Sequence, residues 1–363
     1  MSKASKYRLF LFPLSIIYGT IVWIRNKLFD FKIIKQHEFD IPVISVGNIS
    51  VGGTGKTPHS EYIINLFHKD FNVAMLSRGY GRNTKGFILA DENATAKTIG
   101  DEPMQIKKKF ENINVAVDEK RVRGINKLTE NSELNLIILD DAFQHRTVKP
   151  GINILLIDYY NLITEDHILP AGNLRESANE KYRAHIIFIT KSPKDIKPIK
   201  RRIIEKDLNI FPYQSLYFTT LNYKEPINIF NKKSIDLSEI KTFAILTGVA
   251  NPKPLYKYLT KFTENNIRLK FSDHHKWTKH DFDKIKEKFN KIEETKKIII
   301  TTEKDYIRLI ESEYIDILKD LPIYYIPIEI DFLDQEQKKV FNKQLIDYVK
   351  KNKRSHRLYQ KQI

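Results

Sequence analysis

The sequence contains no cysteine, and of its 363 residues only three are methionine and two are tryptophan. The absence of cysteine excludes disulfides, zinc–thiolate sites, iron–sulfur clusters and cysteine nucleophiles, and it fits a reducing compartment. A mean hydropathy of −0.41 excludes a polytopic membrane protein. With 41% hydrophobic and 29% charged residues, the composition is that of a folded globular protein and not of a disordered or collagen-like chain.

Positive charge, in contrast, is in excess. The chain has 61 Lys and Arg against 45 Asp and Glu, a formal net charge of +16, which indicates an anionic partner or surface. A nucleic-acid-binding ATPase is one alternative, but no helix-turn-helix, zinc finger or RNP motif is visible. We therefore expect no nucleic-acid partner, and the sequence implies no protein partner.

The amino terminus carries a short apolar run. Residues 9–24 lack charge and are flanked by basic residues, but a bilayer-spanning helix needs about 20 apolar residues. Apolar side chains recur at helical spacing at Ile17, Ile21, Ile24, Leu28 and Phe31. This pattern predicts a helix within residues 1–31 that lies on an anionic membrane surface; a buried first core helix, a true span and a signal peptide are the alternatives. A second basic block, residues 338–363, is predicted to be a solvated helix and tail.

Short β-rich runs alternate with helical patterns through most of the chain. The first series predicts strands over 42–46, 72–76, 114–117, 134–139, 153–157 and 185–189, with helices over 56–68, 102–110 and 119–128. A second series predicts strands over 242–246, 267–271, 297–300 and 322–326, with helices over 253–262 and 279–289.

This rhythm predicts an α/β protein with a mostly parallel sheet covered by helices on both faces, and a second, smaller α/β domain. Two domains also suit the length, because a single core rarely grows beyond about 250–300 residues. The predicted divisions are the helix 1–31, a core 32–225, and a second domain 226–363 with the basic tail.

A glycine-rich segment follows the first predicted strand. Residues 50–57 match G-x-x-x-x-G-K-[ST] except for Ser at the first position. Such a loop cradles phosphate with inward-pointing backbone N–H groups, here those of Gly52, Gly53, Thr54 and Gly55. Lys56 would reach the β- and γ-phosphates and Thr57 would place its hydroxyl on Mg²⁺. An incidental Gly-rich turn is the alternative, but the strand before and the helix after favour a P-loop NTPase-type fold that binds ATP and Mg²⁺.

Two acids end the apolar run 134–139. Asp140 and Asp141 stand where a strand of a parallel sheet reaches its carboxyl edge, which is where open α/β sheets bind their ligands. The pair alone is a weak signal, because acids are common in loops. Together with the glycine-rich loop it predicts the carboxylates that hold or orient Mg²⁺.

Other nucleotide-dependent classes share such a loop. A GTPase usually needs an N/T-K-x-D turn for guanine, and the nearest segment, residues 190–195, places its acid too late. Related P-loop carboxylate or amide ligases stay open on the loop alone, although they have no need for an apolar platform at the amino terminus.

Further polar clusters distinguish these classes. They are Ser77–Arg82, Gly100–Pro103, Asp140–Arg146, Leu169–Glu176 and Asp273–His275, beside the loop Val46–Pro58. With these motifs the sequence resembles the tetraacyldisaccharide 4'-kinase family, the lipid A 4'-kinases of Gram-negative bacteria. The resemblance covers about residues 5–310, and Ser at the first loop position is ordinary within that family.

The resemblance implies ATP-dependent phosphorylation of the 4'-hydroxyl of a tetraacyl glucosamine disaccharide 1-phosphate, at the cytoplasmic face of the inner membrane. It implies Asp101 as the base that accepts the hydroxyl proton, with His274 as its partner, and adds Glu176 to the magnesium candidates. From spacing alone, Asp101 could equally be a helix N-cap, and we interpret His145 as structural. Candidates for substrate phosphate or transition-state charge are Arg78, Arg82, Arg121, Arg123 and Arg175, with Arg175 ranked first.

Overall fold

A computed structural model describes residues 8–249, 251–272, 275 and 277–360, with the backbone alone described at 9, 131 and 353–360. The strands are β1 Val43–Gly47, β2 Val73–Ser77, β3 Ile88–Leu89, β4 Asn114–Val117, β5 Leu136–Asp140, β6 Ile152–Asp158, β7 Ile186–Thr190, β8 Ser215–Tyr223, β9 Ile227–Asn228, β10 Thr242–Thr247, β11 Asn266–Lys270, β12 Lys297–Thr302, β13 Ile323–Ile326 and β14 Ile328–Phe332. The α-helices are α1 Phe12–Asp30, α2 Lys56–Phe67, α3 Ala96–Ile99, α4 Asp101–Lys109, α5 Arg121–Asn131, α6 Pro198–Leu208, α7 Lys253–Leu259, α8 Lys279–Asn290, α9 Glu303–Ile310 and α10 Gln335–Gln360.

The larger sheet has the strand order β14-β8-β7-β6-β1-β5-β2-β4-β3 within the described residues. Its central strands run parallel, and only the outermost strands β3 and β14 pair antiparallel with their neighbours. The central strands are apolar and buried on both faces, as a parallel sheet covered by helices requires. The predicted α/β class with a mostly parallel sheet is therefore confirmed.

A smaller sheet, with the order β11-β10-β12-β13-β9 among the described strands, forms the second unit. Its strands β10 to β13 are parallel, and β9 runs antiparallel beside β13. This unit corresponds to the predicted second α/β series, and its helix α9 packs against α4 of the larger unit.

The predicted boundary of the second domain, 226–363, is wrong at its carboxyl end. After β13 the chain returns to the larger sheet, where β14 pairs with β8. Helix α10 then packs beside that sheet: Phe341 contacts Phe188 and Tyr217 in edge-to-face geometry. The basic carboxyl-terminal segment therefore begins as a core helix, because its apolar positions Phe341, Leu345 and Val349 are fully buried.

Candidate active site

The glycine-rich loop connects β1 to α2. Gly52 and Gly55 have φ angles of +108° and +87°, which residues with a side chain rarely adopt. A Cβ atom at Gly52 or Gly53 would meet no protein atom within 4 Å, so the protein leaves this space open on the surface of the loop. The first N–H groups of α2 point into the same region and add the positive end of the helix dipole. The loop therefore fits the phosphate groups of a nucleotide.

The acid pair lies next to the loop. Strand β5 is the parallel neighbour of β1, with Asp140 opposite Val46. Asp140 is buried, and it accepts a hydrogen bond from Ser60 Oγ at 2.8 Å. Asp141 follows with a φ of +46°, and its Oδ1 lies 3.6 Å from Lys56 Nζ and 3.5 Å from Arg175 Nη1.

The ionised form of Asp140 is disfavoured by burial and by two neighbouring carboxylates. Burial, together with the charges of Glu102 and Asp141, raises the pKa of Asp140 to about 7, although Lys56 and the Ser60 hydroxyl act in the opposite direction. A buried carboxylate in this situation is stabilised by a cation.

These residues also fit Mg²⁺. Asp141 Oδ1 is buried and accepts no hydrogen bond from the described part of the chain, and the hydroxyl-bearing Thr57 follows Lys56 at the start of α2. The described residues include no group of three or more His, Asp or Glu that could enclose a metal. Two carboxylates and a hydroxyl suit Mg²⁺, which usually binds one or two carboxylates together with substrate phosphates and water.

Asp101 is the first residue of α4 and follows Gly100, whose φ is +95°. Gly100 is the N-cap of this helix, so the alternative interpretation of Asp101 as an N-cap is wrong. Arg308 of α9 donates to Asp101 Oδ2 from Nε at 2.8 Å and from Nη2 at 2.6 Å. His274, the predicted partner of Asp101, lies outside the described residues.

A cavity of about 340 Å³ joins these groups to the amino-terminal helix. It is lined by Tyr18, Val22 and Arg25 of α1, by Ser77–Tyr80 after β2, by Glu102, Asp140, Asp141, Gln144 and His145, and by Arg175 and Glu176. Burial and the charges of Arg121 and Arg78 lower the pKa of His145 to about 4, so its imidazole is neutral at physiological pH. Most motifs singled out in the sequence therefore meet at the carboxyl edge of the large sheet.

Comparison with known proteins identifies the group to which this architecture belongs. A family model described as tetraacyldisaccharide-1-P 4'-kinase matches residues 7–349. The chain belongs to the tetraacyldisaccharide 4'-kinase family. Tetraacyldisaccharide 4'-kinase of Phocaeicola vulgatus is 52% identical over 96% of this chain and 97% of its own length. The enzyme of Flavobacterium johnsoniae is 44% identical over 95% of this chain and 98% of its own.

A solved structure of the family has the same fold. The crystal structure of LpxK from Aquifex aeolicus in complex with ATP has a TM-score of 0.73 and 27% identity to this chain, and covers 94% of this chain and 99% of that one. Membership of this kinase family removes the GTPase, the nucleic-acid ATPase and the ligase alternatives.

Within this kinase fold, the five candidate arginines have different environments. Arg78 is exposed and makes no hydrogen bond or ion pair with another described residue, and Arg175 lies half-buried beside Asp141. Arg82 bonds Glu119 and the Gly86 carbonyl, and Arg123 makes a forked pair with Asp118 at 2.7 and 2.8 Å. Arg121 is only 1% exposed. In this conformation, substrate can reach Arg78 and Arg175 but not Arg121.

Both carboxylate oxygens of Glu176 are paired with arginines. Its Oε1 lies 2.9 Å from Arg25 Nη2 of α1, its Oε2 pairs with Arg183, and the side chain is buried. Magnesium ligation by Glu176 therefore stays a prediction that requires these pairs to break. In the described conformation, Glu176 joins the amino-terminal helix to the site.

Sequence reasoning missed several residues at this site. Ser60 lies one turn after Thr57 on α2, and its spacing could have indicated a second hydroxyl on the same helix face. Glu102 was visible beside Asp101 but received no role. No sequence pattern indicated the pairing of Arg25 with Glu176 or of Arg308 with Asp101, because these partners lie 151 and 207 residues apart in the sequence.

Proposed function

We propose that the protein transfers the γ-phosphoryl group of ATP to the 4'-hydroxyl of a tetraacyl glucosamine disaccharide 1-phosphate, in lipid A biosynthesis. The observation that carries this proposal is the acid pair beside the glycine-rich loop, with Glu102, the neighbour of Asp101, on the wall of the same cavity as the acids, in a member of this kinase family. The family name supplies the acceptor, and Arg78 and Arg175, which line the cavity, are suited to bind its phosphate group.

The proposed step is an in-line displacement. The acceptor oxygen forms a bond to the γ-phosphorus, the bond from that phosphorus to the β–γ bridging oxygen breaks, and ADP leaves. Asp101 accepts the hydroxyl proton, since a sugar hydroxyl is a poor nucleophile until that proton is removed. Arg308 orients the carboxylate of Asp101 through its two N–H groups, and His274 is proposed as a further partner of that carboxylate.

The loop and the acids bind the nucleotide. Backbone N–H groups and Lys56 hold the phosphate oxygens, and Lys56 moves from Asp141 to do so. We propose that Asp140, Asp141 and Thr57 would hold Mg²⁺, which would supply positive charge to the phosphates of the nucleotide. We propose that Arg175, whose Nη1 lies 3.5 Å from Asp141 Oδ1, binds the transferred group.

The apolar face of α1 supports a membrane surface as the partner. One side of this helix is fixed to the protein: Ser15 Oγ accepts from Ala171 N at 2.9 Å, and Tyr18 donates to the Arg175 carbonyl at 3.1 Å. The predicted apolar stripe is on the other side, where Ile17 and Ile21 are about 60% exposed (59% and 62%), so the buried-core alternative does not fit.

No helix in the described ranges is both long enough and apolar enough to cross a bilayer. An exposed apolar face flanked by basic residues suits a helix that lies in the headgroup region. We therefore propose peripheral or monotopic binding at the cytoplasmic face of the inner membrane, where a lipid acceptor would be met.

The experiment is transfer of radiolabel from γ-labelled ATP to the lipid disaccharide 1-phosphate in detergent. We expect Asp101→Asn to lower kcat by about 100-fold or more, the range of a lost general base, while ATP affinity stays normal. Lys56→Ala should lower both, and Asp320→Asn, at an exposed carboxylate, is the matched control. Absence of labelled lipid with folded, ATP-binding protein would refute the proposed activity; equal loss of ATP affinity in the Asp101 and Lys56 variants would refute the base.

A further inference from the structure

Three consecutive carbonyl oxygens of the glycine-rich loop are held from outside the loop. The ammonium group of Lys191 donates to the Gly53 carbonyl, and Thr190 Oγ1 donates to the Thr54 carbonyl at 2.9 Å. His59 Nδ1 lies 2.7 Å from the Gly55 carbonyl, while its Nε2 lies 3.0 Å from Thr219 Oγ1. Burial lowers the pKa of His59 to about 4, so the neutral ring can donate from Nδ1 and accept at Nε2.

The geometry of the peptide bond gives these contacts a consequence. In a trans peptide the C=O and the following N–H point in opposite directions. Holding the carbonyls of Gly53, Thr54 and Gly55 outward therefore turns the N–H groups of the next residues toward the open side of the loop. Thr54 N–H makes a 3.2 Å contact there with the Gly52 carbonyl, and a phosphate oxygen is a stronger acceptor than that carbonyl.

The backbone conformation of Lys191 and a neighbouring carboxylate fix the position of its side chain. Lys191 is the first residue after β7 and has a φ of +56°, in the left-handed region that non-glycine residues seldom adopt. Asp158, the last residue of the neighbouring strand β6, accepts from Lys191 Nζ at 2.6 Å. The first residue after β5, Asp141, has the same left-handed backbone. Such backbone strain is often found where a side chain must point at a functional group.

We propose that Lys191 is a positioning residue of the phosphate-binding loop: it holds the Gly53 carbonyl outward, is itself oriented by Asp158, and so pre-organises the loop N–H groups for phosphate. Thr190 supports the adjacent peptide in the same way. The segment 190–195, considered above as a guanine-recognition turn, thus holds the loop, while its acid Asp195 is exposed. The inference rests on the proposed function only in taking ATP as the occupant of the loop.

The test measures binding, so it needs no lipid acceptor and cannot be confused with failure of the proposed activity. ATP and inorganic tripolyphosphate, each with Mg²⁺, are titrated calorimetrically into wild type, Lys191→Met and Lys194→Met. Lys194 is the matched control, an exposed lysine three residues further along the same loop. Loss of one hydrogen bond from a charged donor predicts about tenfold weaker binding by Lys191→Met, equal for both ligands, and no change for Lys194→Met.

Equal loss for both ligands is the decisive result, because tripolyphosphate has phosphates but no nucleoside. Unchanged affinity for both ligands would overturn the proposal, and so would a loss confined to ATP, which would mean that Lys191 contacts the nucleoside. The double variant Lys191→Met/Asp158→Asn should bind no more weakly than Lys191→Met alone, since Asp158 acts through Lys191; additive losses would contradict that relation. If Lys191→Met does not fold, Lys191→Gln, which is shorter but polar, carries the same expectations.

Discussion

Asp140→Asn is expected to make the protein more stable and, at the same time, inactive. In the folded protein the Asp140 carboxyl is buried and its pKa is raised to about 7, chiefly by burial and by the neighbouring Glu102 and Asp141. The unfolded chain has the ordinary value of 3.8. Between these values the folded protein holds a proton that the unfolded chain has lost. The contribution of Asp140 to the free energy of unfolding therefore falls as the pH rises from about 4 to about 7, and it stays low above that.

The size of the effect follows from the same interval. At about 1.36 kcal/mol per pH unit, the interval between 3.8 and about 7 corresponds to about 4 kcal/mol. No discount for solvent applies, because Asp140 is only 3% exposed. Asparagine has nearly the same shape, accepts the Ser60 hydrogen bond through its amide oxygen, and carries no charge. The stability gained by Asp140→Asn should therefore be small near pH 4.5 and approach about 4 kcal/mol at pH 8.

Urea unfolding in EDTA at pH 4.5, 6, 7 and 8 measures this difference. Asp141→Asn is the control: Asp141 is half-exposed and lies between Lys56 and Arg175, so the loss of its charge removes two attractive contacts, which offset the relieved repulsion with Asp140, and should stabilise the protein much less. The same Asp140→Asn preparation should fail to transfer phosphate, because an amide binds Mg²⁺ more weakly than a carboxylate. A difference in stability that does not change with pH, or a less stable variant at pH 8, would refute the reasoning.

Two further predictions use positions with close controls. Gly47→Ala places a Cβ 2.7 Å from Phe143 N, and overpacking against backbone should lower the free energy of unfolding by about 1–3 kcal/mol. Gly53→Ala, where a Cβ meets no protein atom, should leave urea unfolding unchanged but weaken ATP binding. If Gly53→Ala instead destabilised the protein and Gly47→Ala only weakened ATP binding, the roles given to the two glycines would be wrong. Ile21→Glu on the exposed face of α1 should reduce cosedimentation with anionic vesicles, whereas Ile267→Glu at another exposed isoleucine should not; equal sedimentation of both variants would argue against α1 as the membrane contact.

Most of the predicted elements agree with the observed ones to within about two residues at each end; the predicted helices 119–128 and 253–262 end three residues away from the observed ends of α5 and α7. Strand 42–46 and helix 56–68 are observed as β1 and α2, because an apolar run, three glycines and a helical stripe each act over a few residues. The carboxyl-terminal return was missed for the opposite reason: β14 is five residues long and pairs with β8, and neither strand was among the predicted ones. Strand pairing between distant segments leaves no periodic signal in either of them.

The site divides in the same way. Motif residues that are close in sequence, such as Lys56 with Thr57 and Asp140 with Asp141, were assigned correctly to the loop and to the end of β5. Contacts made across the fold were not predictable, including the pairing of Arg308 with Asp101, which depends on α9 packing against α4. The roles in catalysis and in binding Mg²⁺ stay predictions until the variants above are measured.

Only part of the net charge of +16 is available to an anionic substrate, because several arginines near the site are already paired within the protein. Arg82, Arg121 and Arg123 were candidates for contact with substrate phosphate, yet each is held by the protein: by Glu119, by the backbone carbonyls of Asp118 and Asp140, and by the Asp118 carboxylate, respectively. Asp118 and Asp140 are buried, so Arg121 and Arg123 cannot turn to a substrate without leaving a buried acceptor unpaired, which costs about 1–3 kcal/mol or more. Arg82 would have to give up its pair with Glu119, which is partly exposed. Arg78 has no such cost, and Arg175 has only an ion pair at 3.5 Å to exchange. An anionic substrate should therefore meet these two first, and the formal charge overstates the positive charge that the site can offer.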